Sequence, residues 1–195
     1  AYAAGLGETA DVYFDDARPG GIVAPPAMVV SLEWPATRDI RTMPEFGASP
    51  EERRRGVHAA QDTRFHRLIR SGERIRVTGR IVAIKRIKPG TLTMTRIDLS
   101  TVAGERVATT YTTGITRGVE VEGEDRVIEE APEWRDETVI GDWIETVIPI
   151  SRELPHVYTE CADIWNPIHT ERAVALAAGL PDIILHGTCT WALAV

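Results

Sequence analysis

The chain has 195 residues, of which 43% are apolar and 26% charged, and it carries a net charge of −7 at pH 7. That length allows one ordinary domain or two small ones. No uncharged apolar run reaches the roughly 18 residues that a membrane-spanning helix needs, so the composition reads as that of a soluble globular chain and excludes the membrane, fibrous and disordered classes. Cys161 and Cys189 are too few for a disulfide framework, and their spacing matches no paired-ligand metal pattern. A cytoplasmic protein without a metal site is expected.

In chain order, the N-terminal residues show neither an initiator Met nor the sections of a signal peptide. The last residues, Trp191 to Val195, read as a buried apolar element, and the expectation is a piece of a longer polypeptide. Pro25 and Pro26 precede a compact apolar run, which predicts a buried helix starting near Pro26. Ser49-Pro50-Glu51-Glu52 is a capping box and predicts a short exposed helix over 50–55.

From Gly56 to about Gly118, four long Thr-, Val- and Ile-rich segments are separated by Ser71-Gly72, Pro89-Gly90 and Ala103-Gly104. This pattern predicts an antiparallel meander. One buried helix and four strands make an α+β layer, a curved sheet wrapped around a helix. Residues 53–88 hold an excess of ten positive charges. Arg74, Arg76 and Arg80 alternate with Ile75, Val77 and Ile81, the period of a strand with one wet face. The period favours a solvated sheet face over a contact for coenzyme A, and both over a nucleic-acid site.

Residues 119–137 carry a net −7 and, with Gly123 and Pro132, read as a solvated linker. Beyond it, Trp143–Ile150 reads as a strand. Ser151 is placed to cap a helix over 152–162, and Thr170 one over 171–178 that Gly179 and Pro181 end.

Chemistry concentrates in residues 158–190. Asn166-Pro167 forces the chain out of helix, which puts His169 at a bend where its ring can face a cleft. His186-Gly187-Thr188 precedes an apolar run, which places Gly187 at a helix start, where free backbone N–H groups can stabilise a carbonyl oxygen gaining charge. Cys161 and Cys189 read as small buried hydrophobes.

Asn166-Pro167-Ile168-His169, followed by Ile183-Ile184-Leu185-His186-Gly187-Thr188, resembles the MaoC-like or (R)-specific enoyl-CoA hydratase family of hot-dog proteins. The resemblance implies water addition to a trans-2-enoyl thioester, or its reversal, by an Asp and His pair that holds one water. It also implies a backbone N–H that polarises the thioester carbonyl. On it, Asp163, His169 and Gly187 are the expected catalytic residues, and Asn166, Ile168, His186 and Thr188 the substrate-binding ones. No cofactor is implied beyond the coenzyme A of the acyl-CoA substrate, and the expected partners are copies or homologous subunits that complete the fold. In the family the acid stands two residues before the Asn, where this chain has Ile164. Either a bulge turns Asp163 inward, or another group has the role, or the acid is missing.

Gly7–Tyr13 aligns with Asp163–His169, and Ile22–Pro26 with Ile183–Gly187, so that Tyr13 and Pro25 stand where His169 and His186 do. The expectation is a tandem hot-dog: a degenerate first domain over 1–118, the linker over 119–137, and the start of a catalytic second domain over 138–195. The competing function is a non-catalytic acyl-binding or scaffold subunit. A hot-dog thioesterase is a third reading, weakened because those sites carry no Asn-Pro-Ile-His turn.

Overall fold

A computed structural model describes residues 1–133, 141–142 and 145–195. Four long strands form one antiparallel sheet: β1 (Gly56–Phe65), β2 (Ile75–Ile87), β3 (Gly90–Thr101) and β4 (Arg106–Arg117), joined by a two-residue strand β5 (Arg126–Val127). The order is β1-β4-β3-β2-β5, so only β2, β3 and β4 form the expected meander. The first strand pairs with β4 instead of β2. Residues 66–74 carry the chain across, and there Arg70 bridges to Val23 ahead of the central helix.

Two short helices, α1 (Tyr2–Gly5) and α2 (Asp11–Phe14), open the chain. A 3₁₀ turn at Pro26–Met28 then leads into α3 (Val29–Thr42), the helix expected from the Pro-Pro signal. Val29, Val30 and Glu33 of α3 are buried, and the two valines share one core with Ile97, Leu99 and Val107 of the sheet. Burying each such aliphatic side chain contributes about 1.5–3 kcal/mol. The helix lies close over β2 because residue 79 is glycine: a Cβ there would come within 2.9 Å of Ile40 Cδ1. The capping box forms as expected at α4 (Pro50–Arg54), with the Ser49 hydroxyl accepting from Glu52 N–H and the Glu52 carboxylate from Ser49 N–H.

The acidic segment is not simply solvated. Glu129 lies between Arg80 (2.5 Å) and Arg96 (2.7 Å) and also accepts from the Tyr111 hydroxyl, while Glu130 reaches Lys85 (3.4 Å). Asp125 accepts from the Arg86 backbone N–H at 2.8 Å. The two opposite charge excesses of the sequence therefore meet on one sheet face, although Arg74, Arg76 and Arg80 keep the exposure that the alternation implied.

Residues 145–150 form no strand. They are exposed and without regular structure, since a strand needs a neighbour for its backbone groups; Trp143 and Ile144 of the expected strand lie outside the described residues. Three helices follow: α5 (Leu154–Ala162), α6 (Arg172–Ala177) and α7 (Gly187–Ala194). Neither Ser151 nor Thr170 caps a helix; the N-cap positions are Glu153 and Glu171. Pro155, in the first turn of α5, fixes its start, and Thr170 closes the 3₁₀ turn of Pro167–His169. The sequence of short helix, bend and central helix thus occurs twice, once before the sheet and once at the end of the chain.

The two occurrences are tied together by α1 packing on α5. The Tyr2 hydroxyl donates to the Ala27 carbonyl at 2.9 Å and lies 3.1 Å from that of Tyr158, whose hydroxyl also reaches Thr188 Oγ1. Tyr158 is fully buried, so deleting its hydroxyl leaves partners unsatisfied. Tyr158→Phe is expected to lower stability by about 1–2 kcal/mol, read as a shift of the urea midpoint at constant slope; an unchanged midpoint would show that the link is not stabilising.

Candidate active site

A cavity of about 220 Å³ lies between α3, the β1–β4 side of the sheet and the segment 164–188. The Asn-Pro turn builds one wall. The Asn166 side chain accepts from Ile168 N–H at the start of the 3₁₀ turn, and Pro167 cannot continue a helix, so His169 leaves the turn facing the cavity. His169 Nδ1 sits 2.8 Å from the Ile184 carbonyl. A carbonyl can only accept, so Nδ1 carries the proton and Nε2 keeps its lone pair. Burial pushes the pKa of His169 down, although the Ile184 bond opposes this, so the ring is neutral at neutral pH.

His186 stacks on His169, with ring centroids 3.7 Å apart and planes 23° from parallel. Its Nε2 lies 3.3 Å from the Ile164 carbonyl and 3.2 Å from Thr159 Oγ1, which fixes the Nε2–H form. Nδ1 of His186 is buried and has no partner among the described residues. Desolvation first, and then its neighbour His169, push the pKa of His186 down to about 3. At this separation a charge on one ring disfavours a charge on the other.

Gly187 and Thr188 open α7 and line the cavity. Among the described residues neither N–H donates to a carbonyl, as expected of the first positions of a helix, while Cys189 and Thr190 N–H groups close on the His186 carbonyl. Free donors at a helix N-terminus are suited to an oxygen that gains negative charge.

The opposite wall comes from the first half of the chain. Glu33, only 3% exposed, accepts from Thr110 Oγ1 (2.5 Å) and from Gln61 Nε2 (3.0 Å). Gln61 Oε1 in turn lies 3.1 Å from His58 Nε2. Desolvation, only partly offset by the two donors, pushes the Glu33 carboxyl up to about 6. Sequence reasoning missed Glu33, Gln61 and His58. Their one signal was a lone carboxylate inside the apolar run before Trp34.

Of the expected site residues, the structure brings His169, His186, Gly187, Thr188, Asn166 and Ile168 to this cavity. It does not bring Asp163. That residue ends α5 with a left-handed backbone (φ 55°), and its exposed carboxylate accepts from Trp165 Nε1 at 2.8 Å. The inward bulge is absent because Ile164 takes the inward position and is buried in the core. Cys189 is fully buried and its thiol is pushed up to about 12, in keeping with an inert small hydrophobe.

The family model of the FAS1-like dehydratase domain region matches residues 1–110, and that of the MaoC-like domain matches residues 143–195. The chain belongs to the MaoC-like and FAS1-like dehydratase family of hot-dog proteins. A UPF0336 protein of Streptomyces griseus is 31% identical over 124 residues, which are 61% of this chain and 81% of that protein. A solved MaoC-like dehydratase superposes with a TM-score of 0.76 at 22% identity, over 98% of this chain and 69% of that one. A Mycobacterium tuberculosis protein with a double hot-dog fold superposes at 0.55 and 15% identity, over 99% of this chain and 66% of that one. The architecture is a hot-dog sheet around α3, followed by the helices α5 to α7.

Protonation makes this site pH-sensitive in two opposite directions. His186 is depressed from 6.5 to about 3, so its contribution to stability is complete above pH 6.5 and is lost as pH falls toward 3. Glu33 is raised from 4.5 to about 6, so the folded state is favoured below pH 4.5 and is penalised as pH rises through 6. That shift corresponds to about 2 kcal/mol above pH 7. Glu33→Gln keeps the shape and removes the buried charge. It is expected to raise stability by about 1–2 kcal/mol at pH 8, with the gain gone at pH 4.5; equal unfolding midpoints for variant and parent at pH 8 would refute the assignment.

Proposed function

We propose that this cavity adds water to trans-2-enoyl-CoA thioesters, or removes it from 3-hydroxyacyl-CoA thioesters. The observation that carries this reading is the pairing, in one small cavity, of a neutral imidazole whose Nδ1 is held by the Ile184 carbonyl with the free N–H groups that open α7. The chemistry needs a base near the β-carbon and a donor at the thioester oxygen. His169 Nε2 takes a proton from water as the oxygen bonds to the β-carbon. The C=C electrons move toward the thioester oxygen, where Gly187 N–H stabilises the enolate-like charge. The proton then passes from His169 to the α-carbon, and no atoms are left over. General-base catalysis needs the neutral ring, and burial holds His169 in that form. The coenzyme A of the substrate is the only cofactor the reaction requires.

In this reading residues 1–118 form a hot-dog without the histidine pair, 119–137 connect the halves, and 138–195 begin the hot-dog that carries His169. Completion of that second hot-dog by further chain or by a second subunit belongs to the proposal. Ile164 at the family's acid position favours the second reading, a subunit that binds acyl chains without reacting.

Loss of the conjugated thioester absorbance separates the two. The protein is expected to turn over short or medium trans-2-enoyl-CoA, and His169→Ala to lose about 10²–10⁴ in rate with little change in stability. Tyr13→Phe, at the aligned position of the first copy, is expected to stay within a few-fold of the parent. Binding without turnover would establish the second reading.

A further inference from the structure

We propose that His58 is a second catalytic residue of this cavity, holding the reacting water opposite His169, and that Gln61 and Glu33 position it. The inference rests on the hydratase reading above. In that reading the water needs two acceptors, and neither Asp163 nor Ile164 supplies the second.

Four observations point to His58. The first is the strand itself. Gln61 and Thr63 face Glu33 and Thr110 on the inner side of β1, and in a regular strand their face would be shared by residue 59. The pairing of β1 with β4 slips between His58 and Ala60, so Ala59 is the extra residue of a bulge and His58 turns to the inner face. Bulges of this kind re-aim side chains beside active sites. Its partner across the ladder is Gly114, which leaves the space over the ring open to the cavity.

The second is contact with the carbonyl-binding end of the site. A Cβ on Gly187 would stand 2.6 Å from His58 Nδ1, so the imidazole rests directly on the first residue of α7. The third is a determined tautomer. Gln61 Nε2 donates to Glu33 Oε2 and to Thr63 Oγ1, which turns the amide oxygen toward His58. That oxygen only accepts, so His58 Nε2 bears the proton and Nδ1 keeps a lone pair, with no partner among the described residues. Burial pushes the His58 pKa down, and the ring stays neutral.

The fourth is the cost of the arrangement. Among the described residues no cation lies beside the buried Glu33, and its two donors, a hydroxyl and an amide, only partly offset the lost hydration. A carboxyl kept at that cost, at the end of a chain leading to a cavity imidazole, has the placement of an orienting group.

The step balances. One water hydrogen bonds to His169 Nε2 and leaves as the proton that later reaches the α-carbon; the other bonds to His58 Nδ1 and remains on the new β-hydroxyl. His58 begins and ends neutral.

The test uses the protein with trans-2-enoyl-CoA. Asn places its Oδ1 about where Nδ1 of His lies, whereas Leu offers no acceptor. His58→Leu is expected to lower kcat by about 10²–10³ with KM changed less than about three-fold, and His58→Asn to recover to within about ten-fold of the parent. Glu33→Gln is expected to lower kcat by about ten-fold at unchanged KM, with the ¹⁵N shifts of His58 showing loss of the single Nε2–H tautomer present in the parent. An active His58→Leu beside an inactive His169→Ala overturns this proposal and leaves the hydratase reading standing. So does a parent His58 that carries its proton on Nδ1. An inactive parent protein overturns both.

Discussion

The approach of α7 to β1 is possible only because residue 187 has no side chain, and the cavity depends on that approach. With a Cβ at Gly187, the imidazole of His58 would have to leave, and α7 would move away from the sheet with the His186 cap and its free N–H groups. The Tyr158 hydroxyl reaches Thr188 of α7 from α5, which itself packs on α1. In the proposed hydration, a contact that packs two halves of the chain would also set the distance between the proton acceptor and the N–H groups at the thioester oxygen. In such a site, misplacement of about 1 Å removes much of the rate.

Charge is sorted by depth. On the outer face, Arg80, Arg96, Lys85 and the acids of 125–130 meet in partly hydrated pairs, where screening keeps each interaction modest. Inside, three imidazoles are kept neutral by burial, and Glu33 shares the cavity with no counterion among the described residues. Desolvation leaves both rings of the His169–His186 stack, 3.7 Å apart, neutral at rest at neutral pH, and a proton on one disfavours a proton on the other. Each lone pair that remains is then a base, and the orientation of each ring follows from what its other nitrogen touches: the Ile184 carbonyl, the Ile164 carbonyl or the Gln61 amide.

Local chemistry made much of this legible. Pro25-Pro26, the Ser49 capping box, the Thr- and Val-rich strands and the turn at Asn166-Pro167 act within a few residues, and each lies where its local rule put it. What local pattern could not show was pairing. After β1 the chain passes β4 and β3 to form β2, and no feature of residues 66–74 declares that route. The acidic run looked solvated because its partners, Arg80 and Arg96, are more than thirty residues away in sequence. Asp163 was expected at the cavity by its nearness to Asn166, but a left-handed residue ending a helix throws its side chain outward while the next residue, Ile164, fills the core. His58 was isolated in sequence, and its inward aim depends on a one-residue slip in register that alternation alone reads the wrong way round.

The repeat gives these omissions a common cause. Comparison of the two copies assigns function to the positions that align, and there the first copy has Tyr13 and Pro25 in place of His169 and His186. Those two residues line a different cavity, beside Glu8 and Trp191. Glu33, Gln61 and His58, however, lie on the central helix α3 and on β1, outside the two aligned stretches. No alignment within this chain could have paired them. The cavity is thus divided unequally along the chain: residues 164–188 present the bend and the helix N-terminus, and α3 with the sheet presents a wall of buried polar groups. The first half of the chain has no histidine at its aligned turn, yet its sheet supplies the surface against which residues 164–188 close.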